Sequence, residues 1–219
     1  MHNGTSRVRK RVNSLRADWK HPTEIRFGVG RVNELPDACR RLDMRQPLLV
    51  TDPGMERRSI VRKLLDANRS QDIATAVFSR ITADPDTACI ADGARAFLEG
   101  GYDGIIALGG GSSLDAGKAV ALAFAVGPNR ILEFVFRNGA QPPRIRTGLI
   151  PPIIAVPTTA GTGSEVDAAA VITDAQHHAK RSLFHPDLLP RIVIADPALT
   201  RGLVPFLTAA TGMDALSHN

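Results

Sequence analysis

The feature that most constrains the fold of this chain is a regular alternation of short apolar runs with longer segments of helical periodicity. Leu48–Thr51 is one such run, bounded by Pro47 and by the turn-forming residues 52–54, and apolar residues at helical spacing follow it over 56–68. An apolar run between turn residues predicts a buried strand. Strands that alternate with helices predict parallel βαβ units with right-handed crossovers.

The same pattern continues through most of the chain. It predicts further strands and helices, a hairpin, and an irregular segment rich in proline and glycine: strands 73–78, 104–108, 153–156 and 192–195, helices 86–99, 113–126 and from 205 onward, a hairpin of 168–173 with 181–184, and the irregular segment 137–152. We therefore expect an α/β fold, with an open, mostly parallel, Rossmann-like dinucleotide-binding sheet and flanking helices.

The net charge of +5 raises the question of a nucleic-acid partner. Six of the basic residues, but only one acidic residue, lie within residues 1–20, and basic and acidic residues are equal in number over the rest of the chain. A neutral body argues against nucleic-acid binding. We expect residues 1–20 to be a basic disordered tail, with a targeting peptide as the alternative.

Hydropathy argues against a membrane partner, because no uninterrupted apolar stretch reaches the roughly 18 residues that a membrane span needs. The amino-terminal segment has no apolar core of a secretion signal. We therefore expect a cytoplasmic protein.

The first candidate site is the loop Gly109-Gly110-Gly111-Ser112-Ser113, between a predicted strand and the next helix. Glycines allow backbone N–H groups to approach an anion, and a helix amino terminus adds partial positive charge, so the loop suits a pyrophosphate. We expect Ser113 to cap the helix and Asp115 to lie in its first turn. The loop departs from the G-x-G-x-x-G pattern at Leu114. A tight strand-to-helix turn is the alternative interpretation.

Two further loops follow predicted strands. Asp52 could accept hydrogen bonds from an adenosine ribose and repel a 2′-phosphate, which favours NAD over NADP, although an ordinary Asp-Pro-Gly turn explains it equally well. Residues 157–165 (PTTAGTGSE) combine small residues with clustered hydroxyls, which suits contacts with phosphate, ribose or carboxamide groups. A Thr/Gly turn is just as plausible from composition.

The last candidate pair is Asp214 and His218, four residues apart in the final predicted helix. Residues at this spacing lie on one helix face, so a carboxylate and an imidazole could converge on a metal ion. A surface hydrogen bond is the commoner meaning of such a pair. No glycine or proline follows this helix, so we expect the chain to stop inside it.

Taken in order, these segments resemble the iron-containing alcohol dehydrogenase family over roughly residues 24–219. The matching motifs are GGGSSLDAGK (109–118), PTTAGTGSE (157–165), AVITD (170–174), HPDLLPRIVIADPALTRGLVP (185–205) and TAATGMDALSH (208–218).

The resemblance implies a dinucleotide-binding α/β domain over residues 21–200, followed at 201–219 by the first helix of a truncated all-helical, metal-binding domain. It implies NAD and a divalent metal as cofactors, with iron(II) favoured and zinc possible. The residues that match the family's cofactor contacts are Asp52, Gly110, Gly111, Ser112, Thr158, Thr159, Thr162 and Lys180, and those that match metal ligands are Asp214 and His218.

The chain also departs from the family pattern. Gly117 stands where alanine is usual, which costs about 1 kcal/mol of helix propensity, and Asp167 stands where threonine is common. Two further histidine ligands belong to the family's helical domain, beyond Asn219.

The expected function is metal-dependent hydride transfer between a small alcohol and NAD, with an aldehyde or ketone as product, in a possible homo-oligomer. This fragment is expected to be incomplete for catalysis. The alternatives are a maleylacetate reductase or a glycerol dehydrogenase-like enzyme of the same superfamily, or a non-catalytic NAD-binding remnant.

Overall fold

The computed structural model describes residues 16–21, 23–137 and 141–218. The strands, in chain order, are β1 (Arg16–His21), β2 (Thr23–Gly28), β3 (Leu48–Val50), β4 (Ala76–Phe78), β5 (Ile105–Gly109), β6 (Ile153–Pro157), β7 (Ala169–Asp174), β8 (Ala179–Phe184) and β9 (Ile192–Ala195). The α-helices are α1 (Leu35–Arg41), α2 (Pro53–Glu56), α3 (Ser59–Arg69), α4 (Thr87–Gly100), α5 (Gly111–Val126) and α6 (Pro205–Ser217). Short 3-10 segments cover Arg31–Glu34, Pro128–Phe134, Pro186–Leu188 and Pro197–Gly202.

Seven strands form one sheet in the order β1-β2-β9-β6-β5-β3-β4, and β7 and β8 form a separate hairpin. Strand β1 is antiparallel to β2, and every other pair in the large sheet is parallel. The expected open, mostly parallel sheet with flanking helices is confirmed. Every residue of β5 and of β6 is buried, because helices cover both faces of a parallel sheet.

Two apolar clusters lie on the opposite faces of the sheet. Ile105 and Ala107 of β5 belong to one cluster, and Ile106 and Leu108 belong to the other. Successive residues of a strand point to opposite faces, so one apolar run serves both cores. Helix α5 is almost wholly buried against the first cluster, which fixes its amino end at the carboxyl edge of the sheet.

Gly117 lies where α5 comes closest to the sheet. A Cβ atom on Gly117 would lie 2.7 Å from the Cβ of Ala107. The sequence showed only the cost of a glycine to the helix, whereas the structure shows that the missing methyl group allows α5 to approach β5. In G-x-G-x-x-G folds the third glycine serves this kind of close packing.

Several boundaries differ from those expected. The predicted strand 73–78 is shorter and begins at Ala76. The predicted helix 56–68 begins later, at Ser59 in α3, and the short α2 precedes it. Residues 16–20, which the sequence assigned to a disordered tail, lie in β1, because pairing with β2 gives their backbone hydrogen-bond partners. The rest of that predicted tail, residues 1–15, lies outside the described residues.

Helix α6 covers Pro205–Ser217, and His218 is its carboxyl cap. Its exposed surface includes large apolar side chains, such as Phe206 (78% exposed) and Leu216 (66% exposed). In the part of the chain that the structure describes, no helix combines the length and apolar character needed to cross a bilayer.

Candidate active site

The carboxyl ends of β3, β5 and β6 bring three of the predicted loops together. In the parallel register Val50 pairs with Ala107, and Gly109 pairs with Pro157. The backbone N–H of Thr158 donates to the carbonyl oxygen of Gly109 at 2.9 Å. The loops that follow the three strands therefore meet at one edge of the sheet, where open α/β sheets bind ligands.

The glycine loop leaves the first turn of α5 without a side-chain cap. Gly110 is the N-cap residue, and no side chain within the described residues accepts a hydrogen bond from the helix N–H groups there. The prediction that Ser113 caps the helix is wrong, because α5 begins at Gly111 and Ser113 is buried inside it. Asp115 lies beyond the first turn for the same reason. The uncapped turn therefore keeps backbone donors available for an anion.

The threonine loop packs directly on this glycine loop. A Cβ atom on Gly111 would lie 2.9 Å from the Cγ2 of Thr162, and one on Gly110 would lie 3.4 Å from the Oγ1 of Thr159. A side chain at Gly111 would force the loops apart, whereas one at Gly110 would meet Thr159 at an ordinary contact distance. The glycine loop and the threonine loop therefore form one continuous surface at this edge of the sheet.

Asp52 serves as the N-cap of α2. Its Oδ1 accepts hydrogen bonds from the backbone N–H groups of Gly54 at 2.8 Å and of Met55 at 2.9 Å. One carboxylate oxygen of Asp52 therefore has the structural role that the turn interpretation predicts. The residue also lines a cleft beside the glycine loop, as a ribose-binding acid would.

Two clefts meet at the glycine loop and share Ala83, Gly111 and Ser112. The first cleft, of about 670 Å³, is lined by five predicted cofactor residues besides Gly111: Asp52, Gly110, Ser112, Thr158 and Thr159. The second cleft, of about 500 Å³, is lined by the remaining four predicted site residues, Thr162, Lys180, Asp214 and His218. All ten predicted site residues therefore line one of two adjoining clefts.

The second cleft includes a residue that the sequence did not single out as a site residue. Asp84 lines this cleft, and its Oδ1 lies 2.9 Å from the Nζ of Lys180. Both side chains are about two-thirds exposed, at 67% and 69%. Beside them, the Oγ of Ser112 donates a hydrogen bond to the carbonyl oxygen of Ala83. The only sequence signal for Asp84 was its place before Pro85, where a helix was expected to begin.

The two predicted metal ligands line the second cleft, Asp214 from α6 and His218 from the carboxyl cap of that helix. The Nδ1 of His218 lies 2.7 Å from the carbonyl oxygen of Gly161. A carbonyl oxygen only accepts, so Nδ1 carries the proton, and a neutral ring keeps the lone pair of Nε2 for another partner. Metal-binding histidines are commonly oriented by this kind of bond.

A carboxylate and an imidazole are ligand types that a divalent cation accepts, and both side chains line the same cleft. Over the described ranges, no group of three or more His, Cys, Asp or Glu side chains is arranged to hold a metal ion. The described residues therefore offer two candidate ligands and do not form a complete metal site.

The sequence also did not indicate that Asp115 and Lys118 form a buried ion pair. Both side chains are buried, with 11% and 1% exposed, and the Nζ of Lys118 lies 3.6 Å from the Oδ1 of Asp115. Burial raises the pKa of Asp115 and lowers the pKa of Lys118, and in each case the partner's charge opposes the shift.

The chain is similar in sequence to known proteins. A family model described as iron-containing alcohol dehydrogenase matches residues 22–197. The chain is 40% identical over 197 residues to a 4-hydroxybutyrate dehydrogenase of Cupriavidus necator, covering 90% of this chain and 50% of that protein. It is 33% identical over 192 residues to an NAD-dependent methanol dehydrogenase of Bacillus methanolicus, covering 88% of this chain and 49% of that protein.

Solved structures show the same fold. A sulfoacetaldehyde reductase from Bifidobacterium kashiwanohense, in complex with NAD⁺, superposes with a TM-score of 0.79 at 31% identity, covering 93% of this chain and 52% of that one. The chain spans about half the length of the curated relatives that it matches.

Proposed function

Because this chain belongs to the iron-containing alcohol dehydrogenase family, we propose that it is the cofactor-binding part of an NAD-dependent oxidoreductase that transfers hydride between a small alcohol and NAD. The observation that carries this proposal is the uncapped amino end of α5, where Gly110 and Gly111 pack without side chains against Thr159 and Thr162. Such an arrangement offers backbone donors and the helix dipole to a pyrophosphate.

The two clefts suggest how the dinucleotide lies. In this proposal the pyrophosphate contacts Gly110 in the first cleft, and Gly111 and Ser112, which border both clefts. The adenosine half extends into the first cleft, where Asp52 accepts hydrogen bonds from the ribose and repels a 2′-phosphate. The nicotinamide half extends into the second cleft, beside Thr162 and Lys180. The nicotinamide then lies on the same side of the glycine loop as Asp214 and His218.

In the proposed mechanism the residues of the second cleft orient the alcohol beside the nicotinamide. A divalent cation, iron(II) or zinc, would supply Lewis acidity that lowers the pKa of the alcohol and stabilises its alkoxide. Asp214 and His218 would hold that cation, and Gly161 would fix the orientation of the His218 ring. The protein thus contributes binding, orientation and electrostatics, while hydride transfer is the chemistry of NAD.

Among the residues that the structure describes, the chain has no group of three or more His, Cys, Asp or Glu side chains arranged to hold a metal ion. For this polypeptide we therefore propose weak NAD binding without alcohol oxidation. In the relatives, the named substrates include 4-hydroxybutyrate and methanol. A small alcohol is accordingly the substrate class that we propose, with a maleylacetate reductase, a glycerol dehydrogenase-like enzyme or a non-catalytic NAD-binding chain as the alternatives.

Isothermal titration calorimetry with NAD tests the proposal, with Gly111→Ala as the test variant and Gly212→Ala as its matched control. A methyl group on Gly111 meets Thr162 at 2.9 Å and enters the cleft, whereas one on Gly212 meets nothing within 4 Å. We expect Gly111→Ala to weaken NAD binding by about tenfold or more, the cost of roughly one to two lost hydrogen bonds. We expect Gly212→Ala to bind as the unaltered chain does. The proposal fails if the unaltered chain does not bind NAD, or if both variants bind it equally.

A further inference from the structure

The hairpin that carries Lys180 is not hydrogen-bonded into the large sheet. Strands β7 and β8 form their own two-stranded sheet, with isolated bridges to Asp86 and Val135 outside it. Thr173 lies opposite Lys180 in their register. One edge of β7 pairs with β8, so its other edge needs partners from elsewhere. Those partners determine where the hairpin stands relative to the glycine loop.

Alternate residues of β7 find these partners outside the hairpin. The carbonyl oxygen of Ala169 accepts a hydrogen bond from the Nζ of Lys118 at 2.7 Å. The backbone N–H of Val171 donates to the Oδ2 of Asp115 at 3.0 Å, and that of Thr173 donates to the carbonyl oxygen of Pro85 at 2.8 Å. Residues two apart present their backbone groups to the same edge. Two side chains of α5 thus take the place of a neighbouring strand.

The two side chains also depend on each other. They lie three residues apart on one face of α5, with their charged atoms 3.6 Å apart and almost no exposed surface. A buried ion pair gives little net stability, and apolar residues of similar volume usually serve as well or better. This ion pair supplies a hydrogen-bond donor and an acceptor to the edge of β7, which apolar residues could not do.

We propose that Asp115 and Lys118 are positioning residues, which hold the β7–β8 hairpin, and Lys180 with it, in register with the glycine loop. This inference rests on the proposed function for the role of the hairpin as the nicotinamide side of the cofactor site. Asp115 lies four residues after Gly111 on the same helix. A single rigid element therefore carries the pyrophosphate loop and sets the place of the hairpin.

The first test measures amide hydrogen exchange by NMR in the double variant Asp115→Leu/Lys118→Met, which leaves no unpaired charge. The control is Asp92→Leu/Arg95→Met, an ion pair of the same spacing on α4 that is exposed. We expect exchange of the Val171 amide to rise about tenfold or more, as for a lost hydrogen bond, while amides of β5 and β6 and the whole control variant stay unchanged.

A conservative variant separates positioning from loss of folding. Asp115→Asn/Lys118→Met keeps a side-chain oxygen that can accept from Val171, so we expect it to recover most of the protection of that amide. Unchanged exchange at Val171 in the Leu/Met variant would overturn the inference, whatever the nucleotide measurements show.

The second test compares the affinities for NAD and AMP. Asp115 itself lines the second cleft, so the Leu/Met variant is compared with Asp115→Asn/Lys118→Met, which keeps the hairpin in place. A displaced hairpin weakens the binding of NAD, which reaches the second cleft, and spares that of AMP, which needs only the first cleft. We expect about tenfold weaker NAD binding with AMP affinity changed less than twofold. Equal losses for both nucleotides would indicate general damage to the fold and contradict the inference. If the unaltered chain binds neither nucleotide, the proposed function fails, and Val171 exchange still decides whether the pair holds the hairpin.

Discussion

The Nδ1 atom of His218 lies 2.7 Å from the carbonyl oxygen of Gly161. This bond joins the last described helix to the threonine loop, and through that loop to the glycine turn of α5. Gly161 has a φ of +102°, and a Cβ on it would lie 2.5 Å from the carbonyl oxygen of Thr211. Gly161 therefore contacts the helix that carries the proposed metal ligands and links it to the proposed dinucleotide loop.

Gly161→Ala is expected to release α6 from the threonine loop. The matched control is Gly163→Ala, which has a similarly positive φ of +70° but meets nothing within 4 Å. Both variants carry backbone strain, and only the first adds a clash with backbone. We expect amides of α6 to exchange at least about tenfold faster in Gly161→Ala than in Gly163→Ala. Equal exchange in the two variants would show that the close approach does not hold the helix.

Gly117→Ala is expected to destabilise the domain although it improves helix propensity. The gain in propensity is about 1 kcal/mol, and overpacking against Ala107 typically costs about 1–3 kcal/mol. We expect a net loss in the free energy of unfolding, measured by urea denaturation. The compensating change Ala107→Gly in the same chain should recover part of this loss. A more stable Gly117→Ala variant would contradict the tight contact between α5 and β5.

Asp52→Asn separates the capping role of Asp52 from its charge. Asparagine caps helices as well as aspartate does, so α2 and the thermal stability should be retained. Loss of the carboxylate should reduce the preference for NAD over NADP by about tenfold, because the repulsion of a 2′-phosphate disappears. Calorimetric titration with both cofactors measures the ratio. An unchanged ratio would exclude Asp52 as the source of the preference.

Asp84→Asn is expected to strengthen NAD binding at low salt, because it removes the carboxylate that competes with the ligand for Lys180. The gain should be only about two- to fivefold, since an exposed ion pair is weak. The neutral variant leaves the ammonium of Lys180 free for an anionic ligand and removes a negative charge from the cleft. The gain should shrink at high ionic strength. Asp103→Asn, at a residue that lines neither cleft, is the control for net charge. Equal gains in both variants would show that only the overall charge matters.

Asp214→Ala and His218→Ala test the metal pair with Zn²⁺ alone as the probe. Two ligands give weak binding, and loss of either one should weaken it by about tenfold or more. His178→Gly removes an exposed histidine from the hairpin turn, at a positive φ that glycine tolerates, and should leave the affinity unchanged. Equal Zn²⁺ affinity in all three variants would place the ion elsewhere.

The sequence predicted the elements that depend on local pattern. Buried strands such as Ile105–Gly109 and Ile153–Pro157 appear as uninterrupted apolar runs, so the parallel sheet and the loops after its strands could be placed in advance. The start of α5 could not, because Gly110, Gly111 and Ser113 are all acceptable near a helix amino end, and the choice depends on how the turn packs against the threonine loop.

Long-range partners were beyond local reasoning. Lys118 and Asp115 bond to backbone atoms 51 and 56 residues away. In the sequence they look like ordinary charged residues of a helix surface. The same applies to Gly117, whose meaning depends on Ala107 in the neighbouring strand.

The separate hairpin also has a consequence for how such a domain can diversify. Because β7 and β8 are not strands of the large sheet, insertions or deletions at their turn would leave the register of the buried strands unchanged. Residues 175–178 are therefore a segment where laboratory libraries could change the length of the hairpin, and with it the ligands that the hairpin contacts, while the large sheet keeps its stability.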